Sequence, residues 1–258
     1  MVPLESFSTC SFALDNGQEV TVTASSVAVS IVSHGHGMMV SRLIRQLQAC
    51  PQVTQIILTL NVPEPELETQ RGDVEVILNL TPKGFGANHN SAFLRSRAQY
   101  WCVINPDVEI DINPFVYLLP PLGTSGVDLV APAVKSPSGK YEDSIRCFPS
   151  FFSILRKVLT GFTGAYTYTN TSDNFLSEWV AGMFMLFKSD TFLAIQGFDE
   201  RYFLYYEDID ICVRLWKAGF KVLACPTVSV THDARRASHA NWRHRRWHIA
   251  SMLRYLVT

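Results

Sequence analysis

Between Gly197 and Gly219 the acids Asp199, Glu200, Glu207, Asp208 and Asp210 are set among Tyr202, Phe203, Tyr205 and Tyr206. Carboxylates enclosed by rings keep their protons to higher pH and can take one near neutrality. From Asp208 onward Ile209, Val213 and Trp216 recur at helical spacing, and Lys217 and Gly219 supply a stop. Glu207 and Asp208 thus open a helix, where the dipole favours the anion. Asp199 and Asp210 read as capping and packing acids. Two adjacent acids behind two tyrosines exceed what a cap needs, so Glu207 and Asp208 are the candidates for proton transfer. A further acid, Asp107, ends the apolar run Trp101 to Ile104 as Asn105-Pro106-Asp107. An oxygen ligand at a strand end suits a hard divalent cation. His232 follows the last apolar run, and the residues alone leave it open between a structural role and a ligand's.

These side chains need a frame. The chain has 258 residues, 47% of them hydrophobic, which is ample for the core of one large α/β domain. A net charge of -1 argues against a nucleic-acid binder. Cys10, Cys50, Cys102, Cys147, Cys212 and Cys225 form no CxxC pair and mostly lie in apolar runs, as reduced thiols of a cytoplasmic protein do. The N-terminus lacks a signal-peptide pattern, and no apolar run is long enough to cross a membrane. Residues 10 to 23 alternate around Asn16-Gly17 and predict a β-hairpin in an extension spanning 1–25. Val27 to Val32, Ile56 to Leu60 and Val74 to Leu78 read as buried parallel strands around a helix carrying Leu43, Ile44 and Leu47. In such a βαβ arrangement ligands sit at the carboxyl ends of the strands.

Those ends carry Ser33-His34-Gly35-His36-Gly37 and Asn61. The glycines let backbone amides approach a ligand, or simply make the turn. Gly84-Phe85-Gly86 precedes a helix with Asn88 and Asn90, a site where phosphate can dock or amides can cap. Arg146 either holds a phosphate or sugar hydroxyl or is a plain surface residue. An amphipathic helix through Phe152, Leu155 and Leu159 leads to a polar loop, Gly161 to Phe175, able to close over a ligand. Trp179 lies beside the small pair Ala181-Gly182, which suits a sugar face or a core ring. Ser238 to Val257 predicts a helix with Trp242, Trp247, Ile249, Leu253 and Leu256 among arginines. It fits a membrane surface, an acceptor pyrophosphate or plain docking on the core.

Taken in order, these stations resemble family 2 glycosyltransferases, in particular bacterial O-antigen rhamnosyltransferases. Gly197-Phe198-Asp199-Glu200, then Phe203-Leu204-Tyr205-Tyr206-Glu207-Asp208-Ile209-Asp210 and Arg214 match the acceptor-side signature. Ser33-His34, Gly84-Phe85-Gly86, Asn105-Pro106-Asp107, Arg146-x-Phe-Pro and Trp179-x-Ala181-Gly182 match the others. Two departures stand out. Leu60-Asn61 replaces the usual Asp-Asn, and Asn105 replaces the first acid of the Asp-x-Asp station.

The resemblance implies a GT-A fold over 26–237: an α/β, Rossmann-like, mostly parallel sheet with helices on both faces. The hairpin precedes it, and a basic amphipathic helix, 238–258, follows it. It implies an inverting, metal-dependent hexosyltransferase using Mn2+ or Mg2+. Asp208 is then the base and Glu207 its partner. Ser33, His34, Gly35, Asn61, Gly84, Phe85, Gly86, Asn90, Asn105 and Arg146 bind the nucleotide sugar, and Trp179, Ala181, Gly182 and Tyr205 the acceptor. Asp107 and His232 hold the metal, with a lesser role for His239. The implied donor is dTDP-L-rhamnose, with UDP- and GDP-sugars as alternatives. The implied acceptor is a glycan or lipid-diphosphate sugar in O-antigen, lipopolysaccharide or other polysaccharide biosynthesis, with no nucleic-acid partner. The place is the cytoplasm, with peripheral contact at the inner face of the membrane through the C-terminal helix. A sugar-nucleotide pyrophosphorylase would need a glycine-rich basic loop after the first strand, which SHGHGMM is not. A carbohydrate-binding module would not need Asp107 or the Glu207-Asp208 pair.

Overall fold

A computed structural model of the chain describes residues 9–13, 19–23, 25–68, 74–124, 126–149, 173–233 and 242–257. The expected helix through Phe152, the Gly161 loop up to residue 172, the Asn16-Gly17 turn and His239 lie outside them.

The N-terminal strands β1 (Thr9–Ala13) and β2 (Glu19–Thr23) pair antiparallel in a sheet of their own. The main sheet is built on β3 (Val27–Ser33), buried at every position. It runs parallel to β4 (Val53–Leu60) on one side and β6 (Tyr100–Ile104) on the other, and β5 (Val74–Leu78) extends it beyond β4. Beyond β6 the direction changes. β12 (Phe184–Lys188) is antiparallel both to β6 and to β8 (Leu129–Lys135), and β8 is parallel to β13 (Val222–His232). The short β10 (Phe175–Leu176) and β7 (Val108–Glu109) pair with β13. The sheet is thus mixed around a parallel core. The pair β9 (Ile145–Arg146) and β11 (Trp179–Val180) stands apart.

Alternation along β3 splits the core in two. Val27, Val29 and Ile31 face α1 (Met38–Gln48) and α4 (Phe115–Gly123). Ala28 joins Trp101 and Val103 on the other face, under α3 (Phe85–Phe93), α5 (Ser189–Ala194) and α6 (Glu207–Lys217). The short α2 (Pro65–Glu68) follows β4, and α7 (Trp242–Leu256) is the last element. Helices on both faces force every ligand-facing side chain to an end of the sheet. Among the described residues no helix is long and apolar enough to cross a membrane.

The last strand is longer than its sequence suggests. Pro226 does not end it, because the ladder with β8 shifts register between Cys225 and Ser229 and then resumes. A bulge absorbs the proline's missing donor. The resumed strand carries His232 to the site.

Candidate active site

The parallel strands β3, β4 and β6 deliver Ser33, Asn61 and Asn105 to one edge. Because β12 is antiparallel, its start arrives at the same edge, and Asn105 N donates to Met183 O at 3.0 Å. One residue earlier, Gly182 N donates to Asp208 Oδ2 at 3.1 Å. The metal station and the candidate base are therefore joined through two consecutive residues of main chain.

Asp208 sits in the first turn of α6, and its Oδ1 accepts from Ile209 N at 2.9 Å. Burial pushes its carboxyl above the ordinary carboxylate range, although backbone amides and Arg146 act to lower it. Glu207 is 5% exposed, and its Oε2 has no hydrogen-bond partner. Burial, then the charge of Asp208, raise it well above its ordinary value. The turn into the helix is strained: Tyr205 and Tyr206 both take left-handed φ, 71° and 68°. Packing from α7 holds them there. Tyr205 Oη lies 3.1 Å from His244 Nδ1, and Tyr206 packs against His248 and Tyr255.

The acid pair predicts a stability effect. Below about 4.5, the ordinary Glu value, folded and unfolded chains both hold the Glu207 proton. Above it the unfolded chain releases the proton and the folded chain keeps it. Stability is therefore lost as pH rises toward the raised folded pKa. Glu207→Gln removes this loss. The variant is expected to be more stable than wild type near neutrality and equal to it below about pH 4.5, as read by urea denaturation across pH. A gain independent of pH would show that charge burial is not its source.

The metal candidates, 125 positions apart in sequence (232 − 107), meet because β7 pairs with β13, Val108 opposite His232. Asp233 N also donates to Asp107 O at 2.9 Å. Asp107 Oδ1 lies 3.3 Å from His232 Nε2, yet it is a buried oxygen without a directed hydrogen bond. The far side of the ring is held by Glu142, whose Oε2 is 3.0 Å from Nδ1. Burial alone would lower the His232 pKa. The facing carboxylates of Asp107 and Glu142 more than offset it, so the net shift is upward. Among the described residues no cluster of three or more such side chains makes a complete cation site. Asp107 and His232 fit a two-ligand half-site that substrate phosphates would complete: one orphaned carboxylate oxygen facing one imidazole nitrogen.

The donor-side loops are more self-contained than their residues suggest. Gly35 N and Gly37 N both donate to the Glu64 carboxylate, at 2.8 and 3.0 Å. Glu64 is 3% exposed. Burial acts to raise its pKa, but the Ser33 hydroxyl and these amides hold it below its ordinary value. Gly35 shapes the loop at φ 82° while its amide is already occupied. Asn61 is fully buried. It donates to Lys83 O at 2.8 Å and to His34 Nε2 at 3.0 Å, and accepts from Lys83 N and Asn79 Nδ2. It holds the loops and leaves His34, which is exposed, as the side chain presented to solvent.

The Gly84-Phe85-Gly86 turn is likewise a packing joint. A methyl on Gly84 would fall 2.7 Å from Phe203 O, and one on Gly86 2.6 Å from Phe198 Cβ. Phe85 N, the first amide of α3, donates to Phe203 O. Asn90 clamps Phe198, accepting from its amide at 2.9 Å and donating to its carbonyl at 2.8 Å. The turn thus docks α3 on the segment from Phe198 to Phe203.

Trp179 is 7% exposed, donates to Cys147 O and carries the Arg146 guanidinium over its ring, 5.6 Å from the centroid. Arg146 pairs with Asp143 and acts electrostatically on Asp208, which puts it near that carboxyl. Ala181 N is bonded to Ser144 O. Gly182 is wedged: a methyl there would meet Phe85 at 3.1 Å and Asp208 at 3.6 Å. Sequence reading singled out neither Glu64 nor Glu142. Both are loop acids with acidic neighbours, and only the fold shows what they hold. It also missed buried His89, held neutral with a pKa of about 3 by burial and bonded to Ser30.

Comparison with known proteins agrees with this fold. The chain superposes on GalNAc-T7, solved with UDP, GalNAc and Mn2+, with a TM-score of 0.65 at 16% identity, over 81% of this chain and 43% of that one. Residues 168–240 match the family described as the N-terminal domain of galactosyltransferase. The fold is GT-A, and the protein is a glycosyltransferase. It is 25% identical over 248 residues to rhamnosyltransferase WbbL of Escherichia coli K12, covering 90% of this chain and 92% of that one. It is 28% identical over 203 residues to the N-acetylglucosaminyl-diphospho-decaprenol L-rhamnosyltransferase of Mycobacterium tuberculosis CDC 1551, covering 67% of this chain and 64% of that one. The chain thus spans less than two thirds of the mycobacterial relative and less than half of GalNAc-T7. Both of these sequence relatives are rhamnosyltransferases, and the chain is similar to the first of them over most of its length.

Proposed function

We propose that the protein is an inverting glycosyltransferase that moves L-rhamnose from dTDP-L-rhamnose to a hydroxyl of a lipid-linked or growing bacterial surface polysaccharide. The carrying observation is Asp208, a raised-pKa carboxylate fixed by main chain two residues from the Asp107 station. Rhamnose as the sugar is supported by the names of both sequence relatives. A lipid-diphosphate acceptor is supported by the name of the mycobacterial one.

In the reaction the acceptor hydroxyl gives its proton to Asp208. Its oxygen forms the new bond to the anomeric carbon as the bond to the diphosphate breaks, and configuration inverts. Glu207, kept neutral by burial and by Asp208, leaves the proton-accepting role to its neighbour. Asp107 and His232 would hold a divalent cation, which neutralises charge on the leaving diphosphate when bound. His34 lines the donor side. Arg146 and the Trp179 wall line the acceptor side.

Glu142 positions the His232 ring: accepting the Nδ1 proton leaves the Nε2 lone pair toward Asp107. Glu142→Gln is expected to weaken Mn2+ about 10- to 100-fold, read by the free Mn2+ signal in electron paramagnetic resonance. Unchanged affinity would reduce Glu142 to a packing role.

The donor is tested by calorimetry of dTDP, UDP and GDP, each with and without Mn2+. Preferential, metal-dependent dTDP binding is expected. Preference for UDP or GDP would keep the mechanism and overturn the sugar. No nucleotide binding would overturn the reading and favour a carbohydrate-binding module.

A further inference from the structure

The C-terminal helix α7 has two unlike faces. Its inner face is docked on the acceptor signature. Trp247 stacks on Phe203 with ring centroids 4.7 Å apart, Ser251 Oγ donates to Leu204 O at 3.0 Å, and His244 meets Tyr205. The opposite face carries Trp242, Ile249, Leu253 and, just past the helix end, Val257, which are 64, 51, 56 and 86% exposed. At 3.6 residues per turn these fall within an arc of about 80°. Arg246 lies in the same arc, 4.8 Å from the Trp242 ring centroid, and exposed Arg243 and Arg245 flank it. No acidic residue occurs from Ala234 to Thr258.

An aromatic and aliphatic stripe whose only charged neighbours are arginines has the chemistry of a helix lying in an anionic lipid headgroup layer. A second copy of the same face is a poor partner, since it would set arginine against arginine. From these observations we infer that the outward face of α7 is the surface by which this glycosyltransferase rests on an anionic membrane. The inner face of the same helix touches Phe203 to Tyr206, the residues directly before Glu207-Asp208. Seating α7 on the bilayer therefore brings the acceptor side to the headgroup plane. This deepens the lipid-linked reading of the acceptor and rests on it for its purpose, though not for its test.

The test uses the full chain with vesicles that contain neither donor nor acceptor. Wild type is expected to co-sediment with phosphatidylcholine–phosphatidylglycerol vesicles at low salt and not with phosphatidylcholine alone. Arg245→Gln with Arg246→Gln should weaken binding about fivefold per arginine. Ile249→Glu with Leu253→Glu should abolish it. Both double variants should keep their circular dichroism, melting temperature and transfer to a water-soluble acceptor. Failure of wild type to bind anionic vesicles, or equal binding by the variants, would overturn the inference. So would a dimer of the wild type, seen by light scattering and abolished by Ile249→Glu with Leu253→Glu. Transfer to the soluble acceptor reports on the enzymatic reading separately.

Discussion

Asp208→Asn is expected to lower turnover about 100- to 10,000-fold, the usual worth of a positioned general base. Nucleoside-diphosphate affinity should not change. Asparagine keeps one of the two oxygens: in place of Oδ1 it still accepts from Ile209 N, so the start of α6 stays folded, while the bond from Gly182 N to Oδ2 is lost together with proton uptake. A pH profile separates this from a distorted site. In the wild type the acid limb should lie above the ordinary carboxylate range, because burial raises the Asp208 pKa. The residual activity of the variant should lack that limb. Turnover within a few-fold of wild type would remove Asp208 from the mechanism, and loss of nucleotide binding would mean that the variant had damaged the strand edge.

Asp107→Asn is expected to abolish the gain that Mn2+ gives to nucleotide binding, a loss of more than about 100-fold where even outer partners of a metal ligand are worth 10- to 100-fold. Asparagine keeps the shape and removes the anion. The main-chain bond from Asp233 N to Asp107 O is untouched, so β7 and β13 stay paired. Metal-free affinity for the nucleotide should remain at the wild-type level. Calorimetry with and without Mn2+ reads both quantities. A variant still responding to Mn2+ like wild type would place the cation elsewhere.

The parallel core was legible because its strands are short apolar runs ending in loop residues, and β3 to β6 fall where those runs lie. The antiparallel β12 was not. Met183 to Phe187 is as apolar as a parallel strand, and direction is set by partners that sequence spacing does not reveal. Asp107 and His232 were legible as residue types, but their meeting depends on the bulge that carries β13 past Pro226. The glycines of the 84–86 turn illustrate a different limit. Phosphate approach and close packing both call for glycine, and only the backbone of Phe198 to Phe203 lying against them shows what they pack on. Glu64 and Glu142 carry no pattern of their own. One caps two loop amides and the other one ring nitrogen, functions that any acid at the right point in space would serve.

An in-line displacement fixes how far the leaving oxygen lies from the proton acceptor. In the proposed reaction that stride would be set by Asn105 N on Met183 O and Gly182 N on Asp208 Oδ2, bonds in which no side chain of β12 takes part. The exposed His34 and the Trp179 wall can therefore drift toward other sugars over evolutionary time without retuning the span. Position 182 is the exception. A methyl there would crowd the Phe85 ring at 3.1 Å while reaching Asp208 only at ordinary contact distance, 3.6 Å, so a side chain at this position would have to displace Phe85 first.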